Sequence, residues 1–291
     1  MKAKMATVAA VLLWAGGAAA PLLLGSTPIV ADVVAQVAGP AFVVEALIPR
    51  GVDPHAFEPT PRDVQRLLEA TLIFVSGAGL EAGLSPFLAL PEVREKVVDL
   101  SQGLPLLPTS AHGEDNHDED HAWDPHVWWD PTLVARWVVR IQEFLSARFP
   151  NLAGEFAARA ARYLDELSAL DAWIQAEVAR IPEERRLLVT DHYVLGYFAR
   201  RYGFTVVGAL VPSHETLAEP SPKELAALEE KIRVLGIPAI FASYETPLSR
   251  RVAQDTGARL VLLPAETLAE GGGYLEMMRE AVRRIVEALR P

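Results

Sequence analysis

Between Asn151 and Ile181 the chain has no proline and one glycine, Gly154, while Phe156, Ala160, Leu164, Leu167, Leu170, Ile174 and Val178 recur every three or four residues. That pattern predicts a single amphipathic helix of about 30 residues, roughly 45 Å long at 1.5 Å per residue. No breaker interrupts it, so it reads as a spacer that crosses the molecule and joins a lobe before it to a lobe after it. Both flanks share one texture. Strands are predicted at Ala41–Ile48, Leu72–Val75 and Val97–Val98 before the helix, and at Leu187–Thr190, Phe204–Val207, Ile237–Phe241 and Leu260–Leu263 after it. Helical patterns lie between them. One opens at Thr60-Pro61, one covers Val194–Tyr202, one starts on a Ser221-Pro222-Lys223-Glu224 cap and stops at Gly236, and one closes the chain over Tyr274–Leu289. Strand–helix alternation on both sides predicts parallel α/β sheets in both lobes.

Composition narrows the function. With 51% hydrophobic and 22% charged residues among 291, the chain has apolar material for a sizeable core and does not read as disordered. A net charge of −11 argues against a nucleic-acid binder, which would present a basic patch. The absence of cysteine excludes disulfides, thiolate zinc sites, iron–sulfur clusters, thiol nucleophiles and acylated cysteine anchors, so any metal must be held by histidine nitrogen and oxygen. At the start, Lys2 and Lys4 precede an apolar run from Met5 to Leu13 and the small residues Ala15–Ala20. This reads as an export signal over residues 1–20, too short to cross a membrane, although Pro21 is a poor residue after a cleavage point. Its removal takes the charge from −11 to −13.

Seven histidines carry what chemistry the chain announces. Three follow an aspartate closely, in Asp53-Pro54-His55, Asp124-Pro125-His126 and Asp191-His192, and His192 comes just after a predicted strand, at the end where parallel sheets bind ligands. Imidazoles with carboxylates behind them suit a metal site, because the carboxylate can fix the ring tautomer. His112, His117 and His121 belong elsewhere, in a stretch with no apolar face. Residues 109–124 hold six acids and no lysine or arginine, which reads as a loop forming a weak auxiliary trap for divalent ions.

Three segments together resemble the metal-specific solute-binding proteins of ABC transporters, the zinc and manganese uptake type. They are Gly51-Val52-Asp53-Pro54-His55-Ala56-Phe57-Glu58-Pro59-Thr60-Pro61, Asp124-Pro125-His126-Val127-Trp128-Trp129-Asp130-Pro131, and Asp191-His192-Tyr193 with Tyr197-Phe198-Ala199-Arg200-Arg201-Tyr202-Gly203. The resemblance covers nearly the whole exported chain. It implies an α/β fold of two lobes, each a four-stranded parallel sheet flanked by helices, joined by one long rigid helix with the metal between the lobes. The parts would be residues 21–148, linker 149–182 and residues 183–291. By motif, His55, His126 and His192 are implied as three ligands. The fourth is implied to be an acid after the last strand, where Glu266 stands, with Glu245 or water as alternatives. Keeping histidine at the third position favours zinc over manganese or iron.

The implied protein is a periplasmic monomer that captures Zn²⁺, hands it to a membrane permease and binds no nucleic acid. Its affinity should fall as pH drops toward the imidazole pKa of about 6.5. A zinc hydrolase is the rival class, since three histidines with an open position would activate water. No His-Glu-x-x-His, Walker loop or dinucleotide fingerprint supports it, and a fourth protein ligand would close that position.

Overall fold

The computed structural model describes residues 19–109, 123–214, 216 and 219–291. The first sheet contains β1 (Leu22–Gly25), β2 (Val43–Ala46), β3 (Leu72–Val75) and β4 (Val97–Asp99) in the order β2-β1-β3-β4. The second contains β5 (Leu187–Thr190), β6 (Thr205–Ala209), β7 (Ala239–Ala242) and β8 (Arg259–Leu262) in the equivalent order β6-β5-β7-β8. All neighbouring strands are parallel. Each sheet therefore sends its strand ends, and the loops after them, toward one side. The helices of the first half are α1 (Pro28–Ala38), α2 (Pro61–Glu69), the short α3 (Ser85–Leu88) and α4 (Pro91–Arg94), and α5 (Pro131–Arg148). Then come α6 (Ala153–Val178), α7 (Gly196–Tyr202), α8 (Pro222–Leu235), α9 (Pro247–Thr256) and α10 (Tyr274–Leu289).

Local chemistry sets the helix ends. Thr60 and Ser221 close capping boxes with Asp63 and Glu224, satisfying backbone donors that would otherwise have no partner. Gly236 ends α8 in the left-handed conformation at φ +61°, which glycine adopts without a Cβ clash. Gly25 is needed for space, because a Cβ there would lie 2.4 Å from the Ala31 backbone nitrogen of α1.

The long helix forms as 26 residues, about 39 Å, preceded by a 3-10 turn at Pro150–Leu152. It lies along α5, α1 and α10 and buries Phe156, Ala160, Tyr163, Leu167, Leu170, Ile174 and Val178. The apolar cluster built on this face is continuous through both halves, joining Leu23, Phe74 and Trp137 to Leu188, Phe198, Phe241 and Tyr274. Smaller clusters cover the other faces of the two sheets. No helix among the described residues is long and apolar enough to cross a membrane.

Candidate metal centre

The histidines sit on loops at the strand ends, and each is fixed by its own aspartate. Pro54 and Pro125 restrict the backbone, and Asp53 and Asp124 close the turns by accepting the amides of His55 and His126, each at 2.9 Å. Asp191 accepts the His192 amide at 2.8 Å, directly after β5. The same aspartates orient two of the rings. Nδ1 of His126 is 2.8 Å from Asp124 Oδ1, and Nδ1 of His192 is 3.0 Å from Asp191 Oδ1. With the proton on Nδ1 toward the carboxylate, each Nε2 presents a lone pair inward. Glu266 enters from the loop after β8.

These elements bring His55, His126, His192 and Glu266 together, with one potential ligand atom of each within 4.8 Å of the others. Nε2 of His55 is 3.2 Å from that of His126. Glu266 Oε1 is 3.2 Å from His55 Nε2, 3.4 Å from His192 Nε2 and 3.8 Å from His126 Nε2. Ligands about 2.0–2.1 Å from a tetrahedral zinc stand about 3.3 Å apart, so the spacing fits such an ion. All four side chains are at most 3% exposed. His192 Nε2 and both Glu266 oxygens are buried without hydrogen-bond partners, as donors aimed at a cation would be.

Burial and charge divide the titrating groups. Desolvation takes the His126 imidazole down to about 4 despite its bond to Asp124. For His192, burial pulls down, but the charges of Asp191 and Glu266 prevail and raise it well above the ordinary value. Burial would raise Glu266, yet His192 and His55 hold it well below the carboxylate range. The Glu266 carboxylate and the His126 imidazole are therefore both held in the form that can donate electron pairs to a cation.

Glu245 does not join the cluster. It is 48% exposed and pairs with Arg250 Nε at 3.0 Å, because the chain turns into α9 just after it. His112, His117 and His121, and residues 1–18, lie outside the described residues. The site also holds residues that motif reading did not reach. Ser243 donates its amide to Asp191 Oδ2 at 2.6 Å, Thr216 donates its hydroxyl to Asp53 Oδ2 at 2.5 Å, and the buried His214 faces Asp124. They carry no metal-ligand signature of their own, and the Thr216 contact spans 163 positions.

Comparison with known proteins places this geometry. Residues 24–288 match the family model of the periplasmic zinc-uptake complex component A, ZnuA. The manganese-binding lipoprotein MntA of Halalkalibacterium halodurans is 32% identical over 278 residues, covering 92% of this chain and 88% of that one. The zinc-binding protein TroA of Treponema pallidum is 30% identical over 281 residues, with 92% and 89% covered. The solved structure of the Treponema pallidum periplasmic zinc-binding protein TroA superposes with a TM-score of 0.83 at 29% identity, covering 94% of this chain and all of that one. The two-lobe parallel fold expected from the strand–helix alternation is that of TroA. Such proteins are solute-binding components of transporters rather than enzymes, which sets the hydrolase reading aside. The chain belongs to the ZnuA family, the periplasmic metal-binding substrate-binding proteins of zinc and manganese ABC transporters.

Proposed function

We propose that this protein captures a single Zn²⁺ between its lobes with His55, His126, His192 and Glu266 and delivers it to the membrane permease of an ABC transporter. The observation that carries the reading is the donor set itself: three imidazoles and one carboxylate converging at tetrahedral spacing. Such nitrogen-rich sets suit zinc better than the harder manganese ion. TroA, named for zinc, supports this choice. MntA, named for manganese, supports manganese as the second reading. In the same proposal residues 1–20 direct export and residues 21–148 and 183–291 form the lobes on linker 149–182. The protein acts as a monomer. His112, His117 and His121 supply weak auxiliary sites.

Calorimetric titration with Zn²⁺ and, separately, Mn²⁺ tests the assignment. The expected outcome is one tight Zn²⁺ site, weakened at least about 100-fold in His55→Ala, with Mn²⁺ bound more weakly. Mn²⁺ bound as tightly as Zn²⁺ overturns the metal choice, and an unaffected His55→Ala overturns the ligand set.

A further inference from the structure

The three aspartates behind the histidines share a design. Oδ1 of each accepts the backbone amide of its histidine, at 2.9 Å for Asp53, 2.9 Å for Asp124 and 2.8 Å for Asp191. Oδ2 of each is turned toward a group from the C-terminal half. For Asp191 that group belongs to its own lobe, the Ser243 amide at 2.6 Å. For the other two it comes from across the cleft. Asp53 Oδ2 accepts the Thr216 hydroxyl at 2.5 Å, and Asp124 Oδ2 stands 3.8 Å from His214 Nε2. His214 and Thr216 are two residues apart between β6 and α8. One short stretch of the C-terminal half thus reaches both Asp-Pro-His turns of the N-terminal half.

His214 is not placed as a loop residue usually is. It is 4% exposed, with its ring inclined 23° to that of His126 at a centroid distance of 6.4 Å and 5.4 Å from the Tyr193 ring. The Asp124 oxygen it faces is buried and lies beyond hydrogen-bond reach of the ring, while the other oxygen of that carboxylate holds His126 twice. Carboxylates that orient metal-binding histidines do so only as firmly as they are held themselves, and loss of such outer contacts typically costs 10- to 100-fold in metal affinity.

We propose that Thr216 is a positioning residue for the metal. Acting through Asp53, it holds the turn that aims His55, so capture by that histidine depends on a segment of the opposite lobe. This inference rests on the ligand assignment above. The cleft is zipped near the same turn by Gly51 donating its amide to Thr267 Oγ1 at 2.9 Å and by Arg50 Nη1 donating to the Ala269 carbonyl at 2.6 Å. Those contacts brace the backbone around His55. Thr216 alone among these cross-cleft donors bonds to the carboxylate that holds the His55 amide.

The test uses the whole protein with Thr216→Val and Thr216→Ser, and His55→Ala as a control. Zn²⁺ is the probe. The readouts are the Zn²⁺ dissociation constant by chelator competition, the dissociation rate into excess chelator, and the melting temperature of the metal-free protein. Thr216→Val is expected to raise the constant and the rate by about 10-fold or more. Thr216→Ser, which keeps the donor, is expected to recover most of that loss, and the metal-free melting temperature is expected to stay at the wild-type value. A valine variant that binds and releases Zn²⁺ as the wild type does, while His55→Ala weakens binding, overturns this inference alone. A loss that serine does not recover, tracking a fall in the metal-free melting temperature, assigns Thr216 a purely structural role and overturns it as well. A His55→Ala protein that binds like the wild type overturns the ligand assignment, and this inference with it.

Discussion

Glu81 is a buried carboxylic acid outside the ligand group, only 5% exposed at the ends of β1 and β3. Its oxygens accept the Ser76 amide at 2.7 Å and the Gly77 amide at 3.1 Å. Burial outweighs these bonds and pushes its pKa up to about 6 from 4.5. A folded-state pKa above the unfolded one means that the native state binds the proton more tightly. Its contribution to stability is then fully present below pH 4.5 and lost as pH rises through 6. The shift corresponds to about 2 kcal/mol. Glu81→Gln should therefore gain up to about 2 kcal/mol on the wild type between pH 4.5 and pH 7.5 in denaturant unfolding, and a pH-independent difference would refute this. At this scale the sequence was most legible where a residue's role is written beside it. Asp-Pro-His states its own turn, and a glutamate after the last strand could be matched by motif. Glu81, His214 and Thr216 have no such local mark, because their partners come from other elements.

The long helix carries one polar connection on its otherwise apolar face. Asp171 receives Arg201 Nη2 at 2.6 Å, Arg201 Nε at 3.1 Å, the Tyr202 hydroxyl at 2.9 Å and Gln175 Nε2 at 2.8 Å. Burial opposes its charge, but Arg201 and Tyr202 prevail and hold its pKa below the usual range. The network ties α6 to α7, which follows the His192 loop. Asp171→Ala would leave the Tyr202 hydroxyl and a partly exposed guanidinium without their acceptor. It should lower stability by about 2 kcal/mol, measured by chemical denaturation of the metal-free protein; a loss under about 0.5 kcal/mol would refute the role. Among the elements, α8, α10 and the long helix were readable from caps and periodicity. Three were not. In α1, only Asp32 and Gln36 interrupt an apolar sequence, so no amphipathic stripe is visible, and its neighbour β1 merges with the apolar start of the chain. In α5, the cap Asp130 and the first-turn Pro131 were read as part of the histidine motif, although the Thr132 amide donates to Asp130 Oδ1 at 2.9 Å.

Across the whole molecule, the two sheets repeat one strand order and share one core. Strand order was not legible in the chain, since it depends on which faces pack rather than on any local pattern; the lobes and their spacer were, because a long breaker-free helix leaves few alternatives. A continuous core makes the halves unfold together. Thermal unfolding of the metal-free protein should show one transition, with calorimetric and van't Hoff enthalpies equal, and two resolved transitions would refute the shared core. Trp128 shows how the core reaches the metal centre. Its indole donates to the Ala265 carbonyl at 2.8 Å, next to Glu266, and its own carbonyl accepts the Tyr274 hydroxyl at 2.7 Å. In mechanical terms the two lobes are joined in one apolar frame. Spreading them as rigid bodies would expose part of that frame to water, whereas opening the short spans around His55 and Glu266 would not. There a handful of bonds can be undone while the frame itself stays whole.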